Sequence, residues 1–313
     1  MNTVLVTFFC LLPVIIAHGF DANVSNCPPE DAIKPCTCRS IRREISCSGL
    51  LNSDDLRKVF KNFAGGNYIE LVIDSSTMQY IPHDIFEGVK LRVITVKNST
   101  LVDLFNAPPT SPSAIIRIHI ENSKLLRTSW NHLATLTYLS DLRIDDTSIR
   151  VLDETFGRSL PKGMKYISLR GTETRTIKAG AFHGIDNIIS ISVKNAGLST
   201  LRRDMFPVPF YGYNLFFMEN KLTTLPKGLF KEMPNLKNVD LRVNELTEVP
   251  EEAFDENASQ LEHILLDVNP LNCDCALKWI VTNGPEVRSG TCESPVEMKE
   301  KRLSQLTADD FDC

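Results

Sequence analysis

Leu236-x-x-Val239-x-Leu241-x-x-Asn244-x-Leu246-x-x-Val249-Pro250, with Phe254 five residues past Val249, is the stretch from which the fold can be read. Val239 and Leu241 alternate with polar residues, so a short strand there has one apolar face. The same spacing, with apolar residues at positions 1, 4, 6, 11 and 14, recurs along the chain. Copies start at Tyr68, Leu91, Ile115, Leu139, Met164, Ile188, Gly212, Leu236 and Leu261, at intervals of 23, 24, 24, 25, 24, 24, 24 and 25 residues. One copy cannot bury its own apolar face. The copies must therefore stack, their strands forming a parallel sheet over a continuous core. Nine strands about 4.8 Å apart predict a curved sheet roughly 40 Å long.

A period of this length carrying L-x-x-L-x-L-x-x-N-x-L resembles the leucine-rich repeat. The resemblance implies an α/β repeat solenoid: a horseshoe with a parallel concave β-sheet, an irregular or 3-10 convex side and disulfide-capped ends. Phe86, Phe182, Phe206, Phe230 and Phe254, near position 19, are expected to close the core from the convex side. Position 9 departs from the pattern. It is Ser76, Ser99, Ser123, Thr147, Thr172 and Ala196 in six copies and becomes Asn220, Asn244 and Asn269 only in the last three. An Asn amide can satisfy backbone groups left open where the strand turns; a hydroxyl does part of this and Ala196 none. Asn98, Asn122 and Asn195 stand one place earlier as candidates to compensate. Prolines at 108, 109 and 112, and at 207 and 209, predict extended returns in place of helices.

The 313 residues carry a net charge of −5 with 23% charged and 42% hydrophobic residues, which gives no basis for nucleic-acid binding. Val4 to Ala17 is apolar, and Ala17-His18-Gly19 offers small residues before a cut ahead of Phe20, the pattern of a signal peptide without its usual basic start. No second apolar run of spanning length follows, and the sequence ends at Cys313 without a hydrophobic tail. A secreted, extracellular product with no membrane insertion is expected. Nine cysteines less Cys10 leave eight, in two clusters: Cys27, Cys36, Cys38 and Cys47, then Cys273, Cys275, Cys292 and Cys313. An even number in an exported chain implies disulfides, three pairings per cluster being open from spacing alone. The rival reading, a metal held by Cys273, Cys275 and His263, has poor spacing and needs reduced thiols. The expected division is 1–19 signal peptide, 20–67 N-terminal cap, 68–268 repeats and 269–313 C-terminal cap.

The clusters run Cys27-x8-Cys36-x-Cys38-x8-Cys47 and Asn269-Pro270-Leu271-x-Cys273-Asp274-Cys275-x-Leu277-x-Trp279, continuing through Cys292-x-x-Pro295 to Cys313. They resemble the cysteine-rich flanking caps of extracellular leucine-rich-repeat proteins. That resemblance implies pairing of first with third and second with fourth cysteine: Cys27–Cys38, Cys36–Cys47, Cys273–Cys292 and Cys275–Cys313. The start from Cys27-Pro28-Pro29-Glu30 to Pro35-Cys36-Thr37-Cys38, with the Ser/Thr variant repeat, is similar to arthropod secreted proteins related to the non-catalytic subunit of Oplophorus-luciferin 2-monooxygenase. This implies a protein that accompanies or stabilises a secreted catalytic partner without chemistry of its own. The alternatives are an extracellular-matrix or cell-surface adhesion module and an innate-immune recognition protein.

Outward residues at positions 3, 5, 7 and 8 line the concave face, where mixed charges favour a protein partner over a polyanion. Two groups stand out: Phe216 and Met218 beside Tyr213, and Tyr166 with Arg143 and Arg170. Aromatic residues and Arg often dominate interface energy. The competing reading for Phe216 is a register shift into the core, since that copy begins with Gly212; for the second group it is an ordinary solvated strand face. N-x-[ST] sequons place candidate glycans on Asn23, Asn98 and Asn257, the last on the convex return. His119 and Glu121 share a strand face without a nucleophile, and no catalytic or phosphate-binding motif is present. No enzyme activity, cofactor or metal is expected.

Overall fold

A computed structural model describes residues 27–110 and 114–313; the signal segment, Cys10, Asn23, Ser111 and Pro112 lie outside the described residues. One sheet of twelve strands runs the length of the solenoid in sequence order. Strands β1 (Cys36–Arg39) and β2 (Glu44–Ser48) belong to the N-terminal cap. The repeats supply β3 (Glu70–Asp74), β4 (Val93–Lys97), β5 (Arg117–Glu121), β6 (Asp141–Asp145), β7 (Tyr166–Arg170) and β8 (Ser190–Lys194). They continue with β9 (Asn214–Phe216), β10 (Asn238–Asp240) and β11 (His263–Leu265), and the C-terminal cap adds β12 (Val287–Ser289). Within this sheet β1 and β2 pair antiparallel and the other neighbours pair parallel. The nine strands expected from the repeats become twelve because both caps extend the sheet. Ile45 and Cys47 of β2 sit beside Leu71 and Ile73 in register and are fully buried, so the cap hairpin imitates positions 4 and 6 of a repeat.

The inward alternation holds throughout: Ile94 and Val96, Ile118 and Ile120, Leu169 and Val193, Leu215 and Phe217 are all completely buried. The convex side is built from turns and short 3-10 segments, with the brief helices α1 (Ser53–Phe60), capped by Asn52, and α2 (Glu154–Ser159), capped by Asp153. The phenylalanines at position 19 form a column of buried rings. Phe182 and Phe206 stack at 5.6 Å, Phe230 and Phe254 at 4.7 Å, and Phe254 lies 5.0 Å from Trp279 of the C-terminal cap. Disulfides join Cys27 to Cys38, Cys36 to Cys47, Cys273 to Cys292 and Cys275 to Cys313. At the far end of the core, the position facing Ile264 is Arg288, whose guanidinium donates to the Leu303 and Pro285 carbonyls at 3.1 and 3.3 Å. A polar residue with satisfied donors thus ends the apolar column, as a solenoid terminus requires.

Position 9 works differently in the two halves. In the first copies a hydroxyl ladder runs between repeats: the Leu50, Ser76, Ser99 and Ser123 amides donate to the hydroxyls of Ser76, Ser99, Ser123 and Thr147 at 3.0 to 3.1 Å. Each of those hydroxyls donates to the carbonyl two residues back, as Ser99 does to Lys97 at 2.7 Å. The ladder ends at Thr147, since the Thr172 hydroxyl pairs with that of Thr174 at 2.7 Å; at Ala196, which has no hydroxyl, the compensation comes from the next repeat. Asn220 Oδ1 accepts from the Ala196 and Leu198 amides, both at 3.1 Å, while its Nδ2 donates to the Val193 carbonyl at 2.7 Å. Asn98, Asn122 and Asn195 have another role. Position 8 takes a left-handed conformation in every copy, and these asparagines tolerate it.

Candidate functional site

The concave face of β6 to β9 gathers both groups read from the sequence. Register places Arg143 beside Ser168 and then Ser192 and Phe216, and Tyr166 beside Asp141 on one flank and Ser190 on the other. β7 and β9 are two strands apart, about 10 Å, and small Ser190 and Ser192 of β8 lie between them. Phe216 stays outward and half-buried while Phe217 is the core residue, so the copy beginning at Gly212 is in phase. The reason is Phe210: an ideal Cβ on Gly212 would lie 2.4 Å from the Phe210 ring. Phe210, fully buried, fills the space that a large position-1 side chain takes elsewhere. Its neighbours are pushed outward, leaving Val208 61%, Tyr211 50% and Tyr213 46% exposed. Val208 and Tyr211 were not singled out from the sequence, although a Phe two residues before the anomalous glycine was the available signal.

The charges of this face are spent on one another. Asp141, an outward position, is only 5% exposed because Arg117 and Arg143 cover it. Arg117 Nε donates to its carboxylate at 2.6 Å and Arg143 donates through Nε and Nη2, both at 3.0 Å. These bonds hold the Arg143 guanidinium above its usual pKa. Arg170 Nε reaches Asp145 at 3.3 Å, Lys194 pairs with Glu219 at 2.9 Å and Arg242 with Asp240 at 2.7 Å. His119 also contacts Asp145 of the adjacent strand, at 3.0 Å, while Glu121 of its own strand is not its partner. What remains for a visitor is apolar and aromatic: Tyr166, Tyr213, Phe216 and Met218.

Two cavities of about 430 Å3 lie off this face, one lined by Arg57, Phe60, Asp84 and Glu87 among others, the second by residues including Asp103, Ser129 and His132. The second holds the residue types of a hydrolytic triad in the wrong order. The Ser129 hydroxyl donates to Asp103, and His132 Nδ1 faces the Phe105 carbonyl at 3.0 Å. The imidazole does not address the hydroxyl, so the Ser–His pairing of such a triad is not formed. Cys273 and Cys275 are in disulfides, which removes them as metal ligands.

The sequons separate. Asn98 is exposed at the end of β4, its Nδ2 donating to Asp74 at 3.0 Å, which with Ser75 and Lys97 lowers the Asp74 pKa. Asn257 requires a correction. It is 1% exposed, and its Nδ2, the atom a glycan would occupy, donates to the Phe230 carbonyl at 2.5 Å. A sugar there is incompatible with this packing.

The geometry and the caps are those of a leucine-rich-repeat fold with disulfide-closed ends. Residues 213–271 match the family model described as leucine rich repeat. Over 50 residues the chain is 44% identical to leucine-rich glioma-inactivated protein 1 of Homo sapiens and of Bos taurus, a match covering 14% of this chain and 9% of those proteins. The fold is similar to that of human 5T4 (Wnt-activated inhibitory factor 1, trophoblast glycoprotein), with a TM-score of 0.59 and 18% identity over 89% of this chain and 98% of that one. No helix among the described residues is long and apolar enough to cross a membrane.

Proposed function

We propose that this chain is a secreted, non-catalytic scaffold that binds a folded extracellular protein on the concave face of β6 to β9. The observation that carries this reading is the outward apolar group of exposed Tyr166 and Tyr213 with half-buried Phe216 and Met218, set among ion pairs that neutralise themselves. A polyanion would need free cations here, and a small molecule would need an enclosed pocket. Aromatic side chains on a rigid sheet supply contact area with little ordering cost, and Met218 adapts its shape to the surface it meets. Arg143 and Arg170, pre-oriented by Asp141 and Asp145, flank the group with their remaining donors. The partner we favour is a secreted catalytic subunit that this chain accompanies or stabilises, the role implied by the cap and repeat resemblance. The test is to recover the native protein from its secreted fluid and identify by mass spectrometry what co-elutes at fixed stoichiometry. A second polypeptide at constant ratio, lost when Phe216→Ala and Met218→Ala are combined, supports the reading. Retention only on matrix or microbial surfaces would transfer the concave face to adhesion or defence.

A further inference from the structure

Position 8 is left-handed in all nine repeats, with φ between 42° and 62°: Ser75, Asn98, Asn122, Asp146, Gly171, Asn195, Glu219, Val243 and Val268. Seven of these are polar or glycine. The last two are β-branched, the residue type least suited to this conformation, and they are 40% and 71% exposed. They occupy equivalent places in successive repeats, Val243 N–H donating to the Asp267 carbonyl at 2.8 Å. Folding stability would select Asn or Gly at both. Strained, exposed apolar residues persist where a surface is used. Beside them Glu245 and Glu248 are exposed and enter no ion pair among the described residues.

The opposite edge of the sheet, where the chain enters the strands, carries the complement. Lys162 and Lys165 form no ion pair among the described residues, and Val208, Tyr211 and Tyr213 are exposed nearby along the same edge. The segregation extends to the whole chain: 19 Lys and Arg against 12 Asp and Glu over residues 91–235, but 7 against 17 over residues 236–313. We infer that this chain binds a second copy of itself edge to edge, the Val243–Val268 rim with Glu245 and Glu248 receiving the Lys162, Lys165, Tyr211 and Tyr213 edge of its neighbour. Because the two edges lie on opposite sides of each copy, the contact is heterologous and can repeat. It shares Tyr213 with the concave group but needs no other protein, so it stands or falls independently of the reading above.

Sedimentation velocity of the purified full chain over a concentration series tests it. Association is expected at about 0.1 M salt and its loss at about 1 M, as the screening length falls from about 10 Å to about 3 Å. Val243→Asn with Val268→Asn is expected to weaken association about tenfold or more while raising Tm, an outcome a purely structural role does not produce. Lys162→Glu with Lys165→Glu, and separately Glu245→Lys with Glu248→Lys, should each give monomers that associate when mixed. A wild-type chain that stays monomeric at low salt overturns the inference, as does a mixture of the two charge variants that fails to associate.

Discussion

Replacing Asn220 by Ala removes the one side chain that bridges the repeat whose position 9 cannot help itself. Asn220 is 8% exposed, and its Oδ1 is the acceptor for the Ala196 and Leu198 amides, which are 2% and 0% exposed. Its Nδ2 also serves the Val193, Phe217 and Met218 carbonyls at 2.7, 3.1 and 3.1 Å. Two of those carbonyls keep a second donor: Phe217 accepts from Asn244 Nδ2 at 2.9 Å and Met218 from the Asn195 amide at 3.2 Å. The loss therefore falls on two buried N–H groups and on the Val193 carbonyl. At about 1–3 kcal/mol for each orphaned group, Asn220→Ala should cost about 3–9 kcal/mol. Ser99→Ala is the control: it strands only the Ser76 amide and should cost about 1–3 kcal/mol. Guanidinium unfolding followed by circular dichroism, with disulfides intact, measures both. A loss for Asn220→Ala no greater than for Ser99→Ala would refute the assignment of Asn220 as the repair for Ala196.

Peptide mapping with and without deglycosylation should find Asn257 unmodified, because its Nδ2 is buried against Phe230; a glycan on Asn257 in folded protein would contradict the packing. Asp153→Ala should cost about 1 kcal/mol by removing the cap of α2, where Asp153 accepts from the Thr155 amide at 3.0 Å. The Thr155 bonds hold the Asp153 carboxyl below its usual pKa, so this contribution is present above about pH 4 and is lost as pH falls through the lowered folded-state value. Wild type and variant should therefore converge in stability toward acid. Gly212→Ala should destabilise by about 1–3 kcal/mol, since the new Cβ meets the Phe210 ring at 2.4 Å. Combining it with Phe210→Leu should recover part of the loss in the same unfolding assay.

Much of the fold was legible because a solenoid repeats its evidence: the inward residues of any one copy are ambiguous, but the copies agree on phase. The copy at Gly212 leaves Phe216 open between the outward face and the core, and the burial of Leu215 and Phe217 in phase with the copies at Ile188 and Leu236 decides it. What could not be read were contacts between residues about 24 positions apart, which adjoin in space without local signal. The partner of His119 is such a case, Asp145 replacing the Glu121 of its own strand. Asp141 is another, an outward residue buried under the arginines of its own strand and the preceding one. Asn257 shows the reverse error. Its sequon is local, while its burial depends on a carbonyl 27 residues earlier. The left-handed turn at position 8 was hidden because Ser, Asn and Asp also populate ordinary loops; only the two valines mark it as imposed by the fold.

The change of chemistry at position 9 also explains where the candidate interface lies. In β3 to β6 a hydroxyl reaches the carbonyl two residues back, and the five-residue strands continue through β7 and β8, whose position 9 is Thr172 and Ala196. An Asn reaches further, Asn244 donating to the Leu241 carbonyl three residues back at 2.9 Å and to Phe217 of the preceding repeat. In these repeats the strands are three residues long, β9 to β11, and the Asn amide donates to carbonyls just past the strand's end. The changeover occurs between β8 and β9, where Asn220 is the first asparagine of the series. Met218 consequently follows the end of β9 instead of lying within it, tied down through its carbonyl by Asn220. Phe216 ends the same strand. The outward apolar group thus sits where the sheet narrows, and Gly212 with Phe210 sets the entry to that repeat. A partner bound there would touch both strand types, and substitutions that alter the changeover, Asn220→Ala first among them, should disturb binding as well as stability.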